Sequence, residues 1–185
     1  MTTGAAVDIR IAREAWEFEQ IHALNHRTFV LEIPRYAPAS ADRLIDRFHD
    51  ENTYVIAVRG QTLVGMLAIR GHRPFALHDR VADLDAYLPA GGRVCELRLL
   101  AIERGERGGR LLAALVEQVW RHCDAAGHDV AIISATTRQL KLYRHLGFEP
   151  FGPTVGPPDA RFQPMMLTRE RFEPTARRLF RAGHP

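Results

Sequence analysis

Residues 93–148 constrain the fold more than any other stretch of the chain. RVCELRLLAI (93–102) reads as a strand, in which alternation puts Glu96, Arg98 and Leu100 on one face. ERGERGG (103–109) follows as a glycine-rich turn. Residues 110–126 then carry Leu112, Leu115, Val116, Val119 and Cys123 at helical spacing, a single apolar stripe. Gly127 suits the left-handed position that closes such a helix. Asp129 to Ala135 is nearly all apolar, as a central strand is, and Thr136 or Thr137 is placed to cap a further helix over 138–146, closed by Gly147. Strand, glycine turn, helix, strand, helix is the order of a mixed α/β domain with at least one right-handed crossover.

The flanking segments add elements to that block. Val7–Ile11 alternates and reads as a strand. Trp16, Ile21, Leu24, Phe29 and Val30 predict an amphipathic helix over 13–30, which stops near Pro34. PRYAPASA (34–41) reads as a loop, and Leu44–His49 as a short helix. Tyr54–Val58 and Leu63–Ile69, separated by Arg59-Gly60-Gln61-Thr62, form a hairpin pattern. Residues 72–92, with Pro74, Pro89 and Gly91-Gly92, read as a surface excursion or lid. Phe148–Gly152 and Arg161–Thr168 read as extended, and the last fifteen residues as a polar helix or tail. Neither an internal repeat nor a low-complexity stretch interrupts the chain. The expectation is one domain over 1–185, with a core of about 7–168 and a C-terminal helix or tail over 169–185.

Composition narrows the class. At 185 residues, 46% hydrophobic and 25% charged, the chain has the make-up of a globular domain. It has no apolar run near the ~18 residues of a membrane-spanning helix. Its first ten residues include Asp8 and Arg10 and carry no secretory apolar region, so the expected location is the cytoplasm. A net charge of +3 raises the question of nucleic acid. Yet Lys141 is the sole lysine among 25 basic residues, and the arginines alternate with acids, as in Arg104, Glu106, Arg107. A mixed-charge surface with no nucleic-acid or membrane partner is expected. Cys95 and Cys123 are too few for a zinc site and suit small core positions. His49, Asp50 and Glu51 are adjacent in sequence rather than on one face, so no metal site is expected.

A glycine-rich turn leading into a helix favours an anion, because the first helical N–H groups lack partners and the dipole is positive there. Gly108 and Gly109 allow close approach, and Arg104, Arg107 and Arg110 add charge-assisted donors. Neither a P-loop lysine nor a full G-x-G-x-x-G is present. LYRHLGF (142–148) resembles the closing motif of the GNAT acyltransferase superfamily, L-Y-x-x-x-G-F. The turn resembles that superfamily's pyrophosphate loop, Q/R-x-x-G-x-G/A, with Gly105, Gly108 and Arg110 at the matching positions; only Gly108 fits the pattern. HRTFVLEIPRYA (26–37), LIDRFHDENTYVIAVRG (44–60) and CELRLLA (95–101) are similar to the branch holding the acyl-homoserine-lactone and N-acyl amino acid synthases. The carriers are Arg27, Phe29, Asp46, Asp50 and Glu96, with the Arg27–Phe29 spacing one residue short.

That resemblance implies a GNAT-like mixed central sheet with flanking helices and splayed strands at the donor site. It implies an N-acyltransferase with acyl-CoA, acetyl or longer, as co-substrate and no permanently bound cofactor. Pantetheine amides would pair near Leu100, Ala101 and Ile102, and the diphosphate would sit on Arg107, Gly108, Gly109, Arg110 and Leu111. Thr136 would touch the donor or cap its helix. Arg27, Phe29 and Tyr36 would line the acceptor side, for a small amino acid or amine. Thioester aminolysis needs a base and an acid for the leaving thiolate, whose ordinary pKa is about 8.5. Glu96 is the candidate base, through water, against a structural pairing with Arg93 or Arg98. Tyr143 is the candidate acid, against a core position beside Phe148. Two rival functions remain at this point: a synthase that takes its acyl group from acyl carrier protein, and a non-catalytic CoA-binding module. Oligomeric state is open.

Overall fold

Seven strands and four α-helices appear in a computed structural model, which describes residues 6–33, 36, 42–158 and 160–181. They run β1 (Val7–Ile11), α1 (Ala15–His26), β2 (Thr53–Arg59), β3 (Thr62–Arg70), β4 (Val94–Ile102), α2 (Gly109–Ala125), β5 (Val130–Thr136), α3 (Leu140–His145), β6 (Glu149–Pro150), β7 (Phe162–Thr168) and α4 (Arg169–Arg181). Hydrogen bonding orders the strands β1-β2-β3-β4-β5-β7-β6, a mixed sheet. The chain packs as two compact units. One holds the residues up to Ile69 with Leu99–Val119, the other Arg70–Arg98 with the residues from Trp120 on.

In the first unit β1 and β2 are antiparallel, and β2 and β3 form the hairpin read from the sequence. Gly60, at φ +64°, makes its tight turn. The start of α1 is fixed by Glu17, whose carboxylate accepts the N–H of Arg13 (2.6 Å) and Glu14 (2.9 Å) and pairs with Arg10. Ile21, Leu24, Phe29, Ile56, Met66 and Ala101 fill the core beneath it. The helix does not run on regularly to residue 30: Arg27–Glu32 widens into a π-helix, a form common at functional sites. No helix forms over Leu44–His49. There the backbone turns at Arg47–Phe48 and then through the short 3-10 turn His49–Glu51, with Asp46 and Phe48 buried.

In the second unit β5 pairs antiparallel with β7 over seven residues, and β6 pairs with β7. Parallel pairing of β4 with β5 runs from Val94↔Val130 to Glu96↔Ile132. Residues 72–92 are not a surface excursion. Their Phe75, Leu77, Val81, Leu84 and Leu88 join Val94, Val130, Ile132, Phe151 and Phe162 in this unit's core. Pro74 precedes the first of these anchors, and Pro89, Gly91 and Gly92 lie between Leu88 and Val94. Thr136 sits at the N-cap of the 3-10 turn Thr137–Gln139 but makes no capping bond to its backbone; its hydroxyl donates to the Gln139 side chain at 3.0 Å. Leu99, at φ +55°, breaks the alternation of β4, so Leu100 does not continue the face of Glu96 and Arg98.

Gly127 closes α2 as the sequence requires, at φ +75°, with His128 N–H on Cys123 O at 2.8 Å. A Cβ there would fall 2.4–2.6 Å from the Arg93 guanidinium. Gly127→Ala is expected to cost about 1–2 kcal/mol, mostly from the left-handed backbone. A urea titration reads this as a lower midpoint; an unchanged midpoint would show that the helix end tolerates a side chain.

Candidate active site

The strongest concentration of ligand-type groups in the first unit lies on the turn between β4 and α2. Gly105, Gly108 and Gly109 are exposed, none has a positive φ, and a Cβ on any of them would meet nothing within 4 Å. Neither backbone strain nor internal packing therefore asks for glycine at these three positions. Arg104, Arg107 and Arg110 are exposed around them, and Gly109 begins α2. Leu111 is half-buried one step into the helix. On the strand before the turn, Ala101 is buried in the core, while Leu100 and Ile102 are half-buried. The Ile102 carbonyl accepts Arg107 Nε at 3.0 Å.

The residues read as acceptor-side groups divide. Arg27 pairs with Glu103 at the start of the glycine turn. Phe29 is packed into the core, 6% exposed, and Tyr36 packs against the same cluster with its N–H on Phe29 O at 3.3 Å. Asp46, 7% exposed, accepts Asn52 Nδ2 at 2.7 Å, whereas Asp50 is exposed on the turn His49–Glu51, whose His49 is half-buried.

In the second unit Glu96 is 1% exposed. Its carboxylate accepts the N–H of Ala76 (2.7 Å) and Leu77 (3.2 Å), and Arg98 Nε lies 3.8 Å away. The sequence anticipates the arginine but not the backbone donors, which come from about twenty residues upstream. Tyr143 is half-buried on α3, its ring edge-on to Phe148 at 5.8 Å. Cys95 and Cys123 are buried with their sulfurs 3.7 Å apart. Contact with Cys123, then burial, pushes the Cys95 thiol well up, which suits a core residue rather than a nucleophile.

Two groupings escape a sequence reading. Glu32, at the end of the π-helix, takes Arg107 in a two-pronged ion pair and Arg104 at 3.3 Å. The other is a buried aromatic and polar cluster between α1 and β2. His49 Nδ1 lies 3.4 Å from His22 Nε2 and 3.1 Å from the Tyr54 hydroxyl, to which Asn52 Nδ2 also points at 3.3 Å. Burial, and then the charge of His49, lowers His22. The spacing of these residues matches no sequence motif; only the strand pairing brings Tyr54 to α1. Among the described residues no group of three or more His, Cys, Asp or Glu is arranged to hold a metal ion.

The model of the N-acyl amino acid synthase FeeM family matches residues 20–169. The chain belongs to that family. It is accordingly an acyltransferase. Its fold is that of the GNAT-like acyltransferases. A CoA-dependent acyl-homoserine lactone synthase, BjaI, solved with MTA, shares 22% identity and a TM-score of 0.74, over 88% of this chain and 82% of that one. The structure of FeeM from uncultured soil microbes gives 18% and 0.72, over 93% and 97%. An acyl-CoA N-acyltransferase from Pseudomonas aeruginosa gives 17% and 0.61, over 87% and 99%. No curated protein matches the chain by sequence. No described helix is long and apolar enough to cross a membrane.

Proposed function

We propose that this FeeM-family member moves an acyl group from acyl-CoA to the amino group of a small amino acid. The amine nitrogen attacks the thioester carbonyl, the C–N bond forms and the C–S bond breaks. The amine's proton leaves through water towards Glu96, whose carboxylate is positioned by the N–H groups of Ala76 and Leu77. Tyr143 gives its hydroxyl proton to the departing thiolate. The products are an amide and free CoA.

The observation that carries the donor side is the β4–α2 turn. Three glycines there serve neither strain nor packing, among three exposed arginines at the start of a long helix. A diphosphate approaching the backbone is what such a turn accommodates. The same arginines would also suit an acidic carrier protein, and that is the second reading. Incubation with acyl-CoAs of increasing length and an amino-acid panel, with free thiol followed, tests both. Thiol release from acyl-CoA that depends on the amino acid is the expected result. Release from acyl carrier protein alone would favour the second reading. No release from either, together with no CoA binding by calorimetry, would reject the proposal.

A further inference from the structure

Every charged residue of the turn from Glu103 to Arg107 is held by a partner outside it: Glu103 by Arg27, Arg104 and Arg107 by Glu32, Glu106 by Arg59. Two of those partners, Arg27 and Glu32, are the first and last residues of one π-helix. The π-helix is therefore stapled at both ends to the turn proposed to receive the donor's phosphates.

The two staples differ in chemistry. At Glu32 the geometry is that of a phosphate site already filled: Arg107 Nη1 donates to one carboxylate oxygen at 2.5 Å and Nη2 to the other at 2.7 Å, while Arg104 Nε adds a third contact. This is the forked arrangement by which an arginine grips a phosphate. The guanidinium of Arg107, with Arg104 behind it, holds the Glu32 carboxyl down at about 2, so it is charged throughout the working pH range. Mild acid therefore leaves this pair intact. Beyond Glu32 the backbone is tied back by Ile33 N–H on Thr28 O (2.8 Å) and Tyr36 N–H on Phe29 O (3.3 Å).

We infer that Glu32 is a latch that occupies the donor's phosphate ligands until the donor displaces it, tying donor binding to release of the 27–33 segment. The inference rests on the donor reading given above. It makes Glu32 a specificity-determining residue for the donor. A ligand must bring enough negative charge to Arg104 and Arg107 to outcompete a carboxylate held in a fork. A full CoA head does so better than an uncharged thioester fragment. Because coupling between two sites is reciprocal, whatever holds the 27–33 segment in its released form also tightens the donor.

The test is calorimetry of CoA at low salt with the wild type, Glu32→Gln and Arg107→Ala, with hydrogen exchange of the Ile33 and Tyr36 amides in each. Glu32→Gln keeps the side chain's size but loses the charge. It is expected to bind CoA about threefold to tenfold more tightly, the range of a forked, partly screened ion pair. CoA should speed exchange at Ile33 and Tyr36 in the wild type, and leave Glu32→Gln, already fast, unchanged. Glu32→Ala, compared by thermal melt, guards against a folding defect. Equal or weaker binding by a folded Glu32→Gln, with Arg107→Ala still impaired, would overturn the latch and leave the donor reading standing. Absence of CoA binding to all three would overturn both.

Discussion

Tyr143→Phe is expected to lower kcat about 100-fold while KM for acyl-CoA stays within about twofold, the signature of a proton donor used in the transition state alone. The ring itself stays. Its edge-on contact with Phe148, 5.8 Å between centroids, involves only carbon and survives the change. What is lost is the hydroxyl that would meet a thiolate whose ordinary pKa is about 8.5. A leaving group of that kind departs more readily when protonated, and acyl thioesters of pantetheine-like thiols more acidic than CoA should restore part of the rate. If Tyr143 serves only as a packed aromatic, Tyr143→Phe leaves kcat nearly intact, and Tyr143→Ala lowers the melting temperature instead.

In the proposed mechanism Glu96 meets two demands, and its replacement is expected to have the largest combined effect. The carboxylate holds the N–H groups that open the turn at Ala76–Asp79, and it lies beside Arg98, itself nearly buried. Glu96→Ala leaves those donors and that cation uncompensated and should cost about 3 kcal/mol. Glu96→Gln keeps the volume but turns one acceptor into a donor facing an N–H, at about 1–3 kcal/mol. Both should also lose activity by about 100-fold per folded molecule, since neither takes a proton. The two duties separate in the pH profile. Loss of the acidic limb of kcat/KM in Glu96→Gln marks a base. An unchanged profile, with activity following the folded fraction in urea, marks an anchor for the 72–92 segment and nothing more.

The block from β4 to α3 was readable because its signals are local: alternation, a glycine turn, a helical stripe, and Gly127 and Gly147 where left-handed backbone is needed. The hairpin was readable for the same reason. Three features were not. Residues 72–92 bury Phe75, Leu77, Val81, Leu84 and Leu88, yet their spacing is neither of helix nor of strand, and the prolines suggest a surface. What pulls the segment inwards is Glu96, a contact with no local trace. Leu99 takes a left-handed backbone that nothing in its side chain announces, so alternation alone predicts too regular a face for β4. Glu32 lies 75 residues from Arg107 in sequence, and at the end of an apolar helix it reads as one more surface acid. The site residues thus divide by physical cause. Those fixed by their own turn or strand were visible, and those whose role depends on a distant charge were not.

The most direct measurement is mass spectrometry of a reaction holding carbon-13 acyl-CoA and a nitrogen-15 amino acid. The account expects a single product carrying both labels in one amide, formed in step with free CoA and absent without the protein. Free CoA that appears with labelled carboxylic acid and no amide would mean hydrolysis rather than transfer. That result, or no consumption of any thioester donor, would contradict the assignment of this turn, Glu96 and Tyr143 to acyl transfer.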